Sequence, residues 1–272
     1  MHSTGATKGI GWIAVTVLAV GLQATPAARA YDNDRALAVS QAAIGERVGD
    51  ITLIDRSGER HRLHDLLDRP LGISLIYTGC AHSCSITTRY LDRVVKTARR
   101  ALDADSFGML TIGFDFGVDT PESMANHARR HGVDDEDWLF AVAADRAELE
   151  GLIEDLGFVY TPSPRGFDHT VQVSLLDREG TVYRQVYGET FDAPHLVEPL
   201  KDLVWRRPSQ GDSLLGSIGK RIRLFCTVYD ARGDRYYFDY SMFMGMLFGA
   251  VFILGIGAWT GREMLLRRQR RT

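Results

Sequence analysis

The segment Ser241 to Gly261 runs for twenty-one residues without a charged side chain and is followed at once by Arg262, Arg267, Arg268, Arg270 and Arg271. At about 1.5 Å per residue, a helix of that length crosses a hydrocarbon core about 30 Å thick. Tyr236, Tyr237 and Tyr240 precede it and Trp259 lies near its far end, where interfacial aromatic residues sit. The arginines place the tail in the cytoplasm by the positive-inside rule. Met242, Met244 and Met246 are two apart and fall on different helix faces, which suits lipid or packing contacts rather than an ion path.

A second apolar run, Ile10 to Leu22, is thirteen residues long, follows Lys8 and precedes Ala28-Arg29-Ala30. It is short for a span. A basic start, a short apolar run and a small-x-small site together predict a secretory signal peptide over 1–30, cleaved after Ala30; an uncleaved anchor is the alternative. Either way the following residues are exported, in agreement with the arginine tail. The expectation is a bacterial inner-membrane protein with its soluble part in the periplasm and its C-terminus in the cytoplasm. Its parts are a soluble domain over 31–205, a linker or small subdomain over 206–239, a transmembrane helix over 240–261 and a basic tail over 262–272.

The formal charge of −3 hides an asymmetry. Setting aside Lys8, Arg29 and the tail's five arginines and Glu263 leaves 25 basic residues (32 − 7) and 34 acidic ones (35 − 1), about −9. A nucleic-acid ligand is excluded by that balance, which suits a cation or a basic partner, or simply a solvated surface. Three cysteines are too few for a disulfide scaffold.

Within the soluble part, Ile51 to Asp55, Leu71 to Tyr77, Phe107 to Phe114 and Trp138 to Ala143 read as strands, the second as a continuous apolar, buried one. Ser85 to Leu102 has helical periodicity, with Ile86, Tyr90, Val94, Ala98 and Leu102 every four residues. Thr120-Pro121 is an N-cap followed by proline at the first helical position, and Asp145 with Glu148 resembles a capping box. Val171 to Asp177 and Thr181 to Tyr187 form a hairpin around Arg178-Glu179-Gly180, and Ala193 to Trp205 closes as a helix. Strands alternating with helices and ending in a hairpin and helix predict an α/β, thioredoxin-like domain.

Cys80 and Cys84 fall where the buried strand gives way to the helix, in Tyr77-Thr78-Gly79-Cys80-Ala81-His82-Ser83-Cys84-Ser85. Helix N-termini offer unpaired N–H groups and a positive dipole end, which favour thiolate over thiol. Two sulfurs four residues apart can share an ion or close a disulfide, and export makes the oxidised form available. A plain stabilising disulfide across so short a loop removes little unfolded-state entropy. His169, in Asp168-His169-Thr170 just before the hairpin, returns to the same end of the sheet. Taken alone it is an ordinary structural histidine; with two thiolates it makes a donor set that suits copper, or zinc given a fourth ligand.

The stretch from Gly45 to about Trp205 resembles the Sco/SenC family, which assembles copper centres of respiratory oxidases. Four features carry the resemblance: Cys80-x-x-x-Cys84 after an apolar strand; Gly113 to Glu122, with an aspartate and then Asp119-Thr120-Pro121; Asp168-His169 before a strand; and the turn Leu176 to Gly180. The resemblance implies that Cys80, Cys84 and His169 bind copper as Cu(I) or Cu(II). It also implies that Cys80 and Cys84 cycle between dithiol and disulfide, and that the partner is the copper-binding subunit of a respiratory oxidase. Proline commonly follows the second cysteine in the family and often the first. Here Ser85 and Ala81 stand there, which leaves the loop backbone less restrained. Family members also commonly carry an N-terminal anchor, whereas the span here is C-terminal.

Other candidates weigh less. His82 reads as a solvated loop residue, His127 and His131 as surface residues beside Arg129 and Arg130, and His61 and His64 as ordinary. Asp115 is expected to tune the site from behind its ligands. Cys226 is either paired between chains or a partly buried thiol. Three other functions fit less well than copper delivery. A thiol–disulfide reductase acting on a copper-site partner needs Cys80 and Cys84 but not His169. A peroxidase of the same fold lacks its usual threonine and proline around the first cysteine. A purely structural membrane protein leaves the cysteines and His169 unexplained.

Overall fold

The computed structural model describes residues 31–80, 83–206, 227–230, 235–238 and 241–269. Ala81, His82 and Cys226, and the signal peptide expected over 1–30, lie outside the described residues.

Helix α1 (Asn33–Ala42) starts on Asp32, whose carboxylate accepts the Arg35 N–H. A hairpin of β1 (Thr52–Asp55) and β2 (Arg60–Arg62) follows, then a 3₁₀ turn (Leu63–Leu66), β3 (Leu71–Ile76), α2 (Ser83–Leu102) and β4 (Gly108–Gly113). Next come α3 (Pro121–His131), β5 (Trp138–Ala143), α4 (Arg146–Asp155), a small hairpin of β6 (Tyr160–Ser163) and β7 (Gly166–His169), the hairpin β8 (Gln172–Leu176) and β9 (Val182–Tyr187), and α5 (Pro194–Arg206). Seven strands make one mixed sheet in the order β2-β1-β5-β4-β3-β8-β9, with β3, β4 and β5 parallel. All six residues of β3 and of β4 are buried, as expected for strands covered on both faces. Helix α2 packs with α3 and α5, and α3 and α4 pack on β5. This is the α/β thioredoxin-like domain expected from the alternation of strand and helix.

The local signals hold with informative exceptions. Thr120 caps α3 through the Ser123 N–H, Pro121 takes the first position, and Gly132 closes the helix at φ +67°. Asp145 caps α4, but Glu148 does not return the bond. Its carboxylate accepts the N–H of Thr52 and so ties α4 to β1. Helix α3 also corrects the surface placement of His127, while His131 is half-buried. His127 is 3% exposed, and its Nε2 meets the Thr88 hydroxyl of α2 at 2.9 Å. Arg129 and Arg130 belong to another face, while Met124, His127 and Ala128 share the buried one.

Beyond α5, two short strands, β10 (Thr227–Asp230) and β11 (Arg235–Phe238), pair antiparallel within the expected 206–239 segment, and β11 lies beside α2. The last element, α6 (Ser241–Gln269), is 29 residues long. It outruns the apolar run and carries the helix through most of the basic tail. Its Met244–Arg262 portion is, among the described residues, the one helix long and apolar enough to cross a membrane. The side chains along it are exposed, including Phe252, Ile253 and Leu254 at 69–71%.

Candidate metal centre

Register fixes where the candidate ligands sit. β3 ends at Ile76, and the cysteine loop follows. β8 runs antiparallel to β3 with Leu71 opposite Leu176 and Ser74 opposite Val173, so its start lies at the C-terminal end of β3. His169, three residues before β8, therefore returns to the end of the sheet that carries Cys80 and Cys84.

Cys84 is buried in the first turn of α2, and Cys80 is half-buried against the core. The Cys84 N–H donates to the Cys80 sulfur at 3.3 Å, the helix-terminus contact that favours thiolate. The two are not joined by a disulfide. Tyr77, 6% exposed, links this pair to the histidine. Its ring meets those of Phe114, Phe167 and His169 edge-on at 5.5, 5.2 and 6.1 Å. Its hydroxyl accepts the Phe167 N–H at 3.4 Å. Burial raises the Tyr77 pKa; the Phe167 N–H opposes this, and the nearby Cys80 and Cys84 side chains add to it.

His169 ends β7 among aromatic rings, Phe158 at 5.4 Å and Phe114 at 5.7 Å. Burial pushes its pKa down, against the Thr170 carbonyl and Asp168, so the ring is held neutral. Its Nδ1 lies 3.1 Å from the Thr170 carbonyl, which can only accept. Nδ1 therefore carries the proton and Nε2 the lone pair, the tautomer a metal-binding imidazole needs. Thr170 is held in turn by the Tyr31 hydroxyl. Two sulfurs and a neutral imidazole with a lone pair are a donor set that fits copper. The three are gathered at one end of the sheet but not closed around a point. Among the described residues, the one set of three or more such donors with all ligand atoms within 4.8 Å of one another is Asp55, Glu59 and His61.

That set lies in the β1–β2 turn, three strands from β3, about 14 Å at 4.8 Å per strand. One Asp55 oxygen accepts from Ser57 N–H, Ser57 hydroxyl and Glu59 N–H, and the other faces His61 Nε2 at 3.0 Å. Burial alone would raise the Asp55 pKa, but the Ser57 hydroxyl, His61 and the turn N–H groups hold it at about 2.

Asp119, rather than Asp115, is the residue that braces the cysteine loop. It is 5% exposed; one oxygen accepts both the N–H and the hydroxyl of Thr78, and the other accepts the Asp115 N–H. A Cβ on Gly113 would lie 2.7 Å from the Asp119 Cβ, so glycine is what lets the carboxylate in. These bonds restrain the loop that Ala81 and Ser85 leave without proline. Asp115 is half-buried, and burial and the charge of Asp119 raise its pKa against Arg146. Asp119 was visible in the sequence only as part of a motif; its burial was not. His61 and His64 stay near β1, His127 lies inside the α2–α3 contact, and none of the three joins the cysteines.

The SCO1/SenC family model matches residues 41–204. Among solved structures, a candidate electron transfer protein from Aquifex aeolicus VF5 is 26% identical with a TM-score of 0.55, over 62% of this chain and 98% of that one. A SCO1/SenC family lipoprotein from Bacillus anthracis is 16% identical with a TM-score of 0.52, over 59% and 96%. Arabidopsis thaliana ScoI, solved with copper bound, is 15% identical with a TM-score of 0.50, over 59% and 99%. No match is found among curated proteins. With more than half its length matched, from before β1 to the last turn of α5, the chain belongs to the SCO1/SenC family.

Proposed function

We propose that this chain is a membrane-anchored copper chaperone that receives copper as cargo on Cys80, Cys84 and His169 and delivers it to the copper-binding subunit of a respiratory oxidase. The observation that carries the proposal is the contact of His169 Nδ1 with the Thr170 carbonyl. A half-buried, neutral imidazole whose Nδ1 proton goes to Thr170 keeps its Nε2 lone pair, at the end of the sheet that holds both sulfurs. Disulfide exchange has no use for such a nitrogen; it needs an attacking and a resolving sulfur. Cu(I) is soft and can be held by thiolates, whereas Cu(II) gains more from imidazole, so the set can take either state. Family membership and the copper bound to the Arabidopsis relative support the same cargo.

The orientation belongs to the proposal. The arginines in the last turns of α6 and just beyond it keep the tail inside, and the domain faces the periplasm. A reporter enzyme fused after Thr272 should be active only in the cytoplasm; activity outside would overturn this topology. The function is tested in cells lacking the chain. Complementation with His169→Ala should leave the oxidase copper centre immature, as should Cys80→Ser or Cys84→Ser. Full maturation with His169→Ala but not with the cysteine variants would replace the chaperone by a thiol–disulfide reductase.

A further inference from the structure

The cations of α2 are of two kinds. Lys96 pairs with Asp92 and Asp134, and Arg99 with Asp135. Arg89 and Arg93, one turn apart and both exposed, have no carboxylate partner among the described residues. With Ile86, Tyr90 and Thr190 they line an open groove of about 350 Å³ between α2 and the loop that joins β9 to α5. Tyr90 is fixed there. Its hydroxyl donates to the Phe191 carbonyl, its ring meets Phe191 edge-on at 5.4 Å, and the Arg93 guanidinium lies over it at 5.1 Å. The groove flanks the copper end of the domain. β9 runs antiparallel to β8, and β8 to β3, so the loop after Tyr187 leaves the sheet at the end that carries the cysteines. On α2, Arg89 and Arg93 follow Cys84 by five and nine residues, about 7.5 and 13.5 Å along the axis at 1.5 Å per residue.

We infer that this groove docks the copper-accepting protein by a segment bearing at least two carboxylates, an inference that rests on the recipient proposed above. Two unpaired guanidinium groups are a local exception in an acidic domain, and among the described residues no carboxylate lines the groove. Each guanidinium offers a planar fork of donors that matches a carboxylate, and the Thr190 hydroxyl adds another donor. The shape favours a protein. A groove between a helix and a loop admits protruding side chains, whereas anionic lipid headgroups present a flat sheet. Complementary charge of this kind speeds encounter and fixes register more than it adds affinity. A segment held beside the first turns of α2 sets its own protein against the end of the sheet where the copper sits.

The test is copper transfer from the copper-loaded full chain, in neutral detergent, to the copper-free soluble domain of the oxidase's copper-binding subunit, read as a second-order rate by stopped-flow absorbance. Both arginines are exposed, so replacing them leaves the core intact. Arg89→Gln with Arg93→Gln should keep the wild-type copper affinity, slow transfer about 10-fold or more at low ionic strength, and remove most of its salt dependence. Arg89→Glu with Arg93→Glu should slow it further. Arg56→Gln with Arg60→Gln makes the same change of charge at exposed positions of the distant β1–β2 hairpin and should transfer as the wild type does. Equal slowing in that control would reduce the effect to net charge and overturn the groove, as would unchanged transfer in the Arg89 and Arg93 variants. A loss seen only in nanodiscs of anionic lipid, and not in neutral detergent, would assign the two arginines to the membrane surface and overturn the docking of a protein. The wild type separates the two levels. If it binds copper but passes none to the domain, the proposed recipient falls and takes the groove with it. If transfer runs and the arginine variants match it, only the groove falls.

Discussion

Two clusters of ligand-type side chains stand three strands apart, and their geometry and chemistry point in opposite directions. In the β1–β2 turn, Asp55, Glu59 and His61 are close enough to share an ion. At the end of β3, Cys80, Cys84 and His169 are more open. Yet in the compact cluster Asp55 is already occupied within the turn. Its carboxylate carries four hydrogen-bond contacts, one of them to His61 Nε2. The open cluster holds a sulfur presented at a helix N-terminus and an imidazole whose lone pair is left over once its proton is placed. Short distances between donors record a satisfied turn as readily as a binding site. Donors of the right softness beside an imidazole lone pair are the better sign, because metal ligands must be deprotonated.

The comparison breaks most sharply at the cysteines. Cys80→Ser or Cys84→Ser should abolish Cu(I) binding in a competition titration with a chromophoric chelator, since hydroxyl oxygen is a poor soft donor. Asp55→Asn and His61→Ala should bind copper as the wild type does. Comparable losses from the two pairs of variants would mean that the compact cluster is the site.

A third histidine sharpens the contrast. His127, like His169, is held neutral, but it is fully buried and its Nε2 already meets the Thr88 hydroxyl. Burial, with His131 and Arg130 nearby, lowers its pKa from 6.5 to about 4. The unfolded chain then binds a proton between pH 6.5 and 4 that the folded chain refuses. Stability is therefore full above about pH 6.5 and falls as the pH drops towards 4, by on the order of 3 kcal/mol. Urea unfolding of the chain at pH 7 and pH 4 should show that loss, and His127→Gln should flatten it. An unchanged slope in His127→Gln would assign the acid sensitivity to other groups.

The smallest effect belongs to the turn. His61→Ala removes one partner of the Asp55 carboxylate at a half-buried edge and should cost roughly 1 kcal/mol of stability, measured by urea unfolding, with no change in copper affinity. A loss of several kcal/mol would make this turn a main support of the fold.

Much of this was legible in the sequence, for identifiable reasons. The runs in β3, β4 and β5 are apolar because both faces are covered, and Thr120-Pro121 and Asp145 are caps whose chemistry is local. The cysteines announce themselves by spacing at a strand–helix junction. The β6–β7 hairpin does not, because Pro162, Pro164 and polar residues at 160–169 read as loop, and its register is set by packing on Tyr77 rather than by alternation. His127 was misplaced because adjacent arginines dominate the local sequence while helical geometry turns them to another face. Asp119 outranks Asp115 for a reason the sequence does not carry. The turn at 115–119 folds back so that the second carboxylate reaches Thr78.

The most direct measurement of the central claim is the copper affinity of His169→Ala in both oxidation states, beside the wild type. Replacing a ligand or its support typically costs about 10- to 100-fold in affinity. Cu(II) binding should weaken by at least that factor, with the paramagnetic resonance spectrum losing nitrogen hyperfine structure. Cu(I) binding, carried by the two thiolates, should survive in weaker form. Unchanged Cu(II) affinity and an unchanged spectrum in His169→Ala would contradict the account.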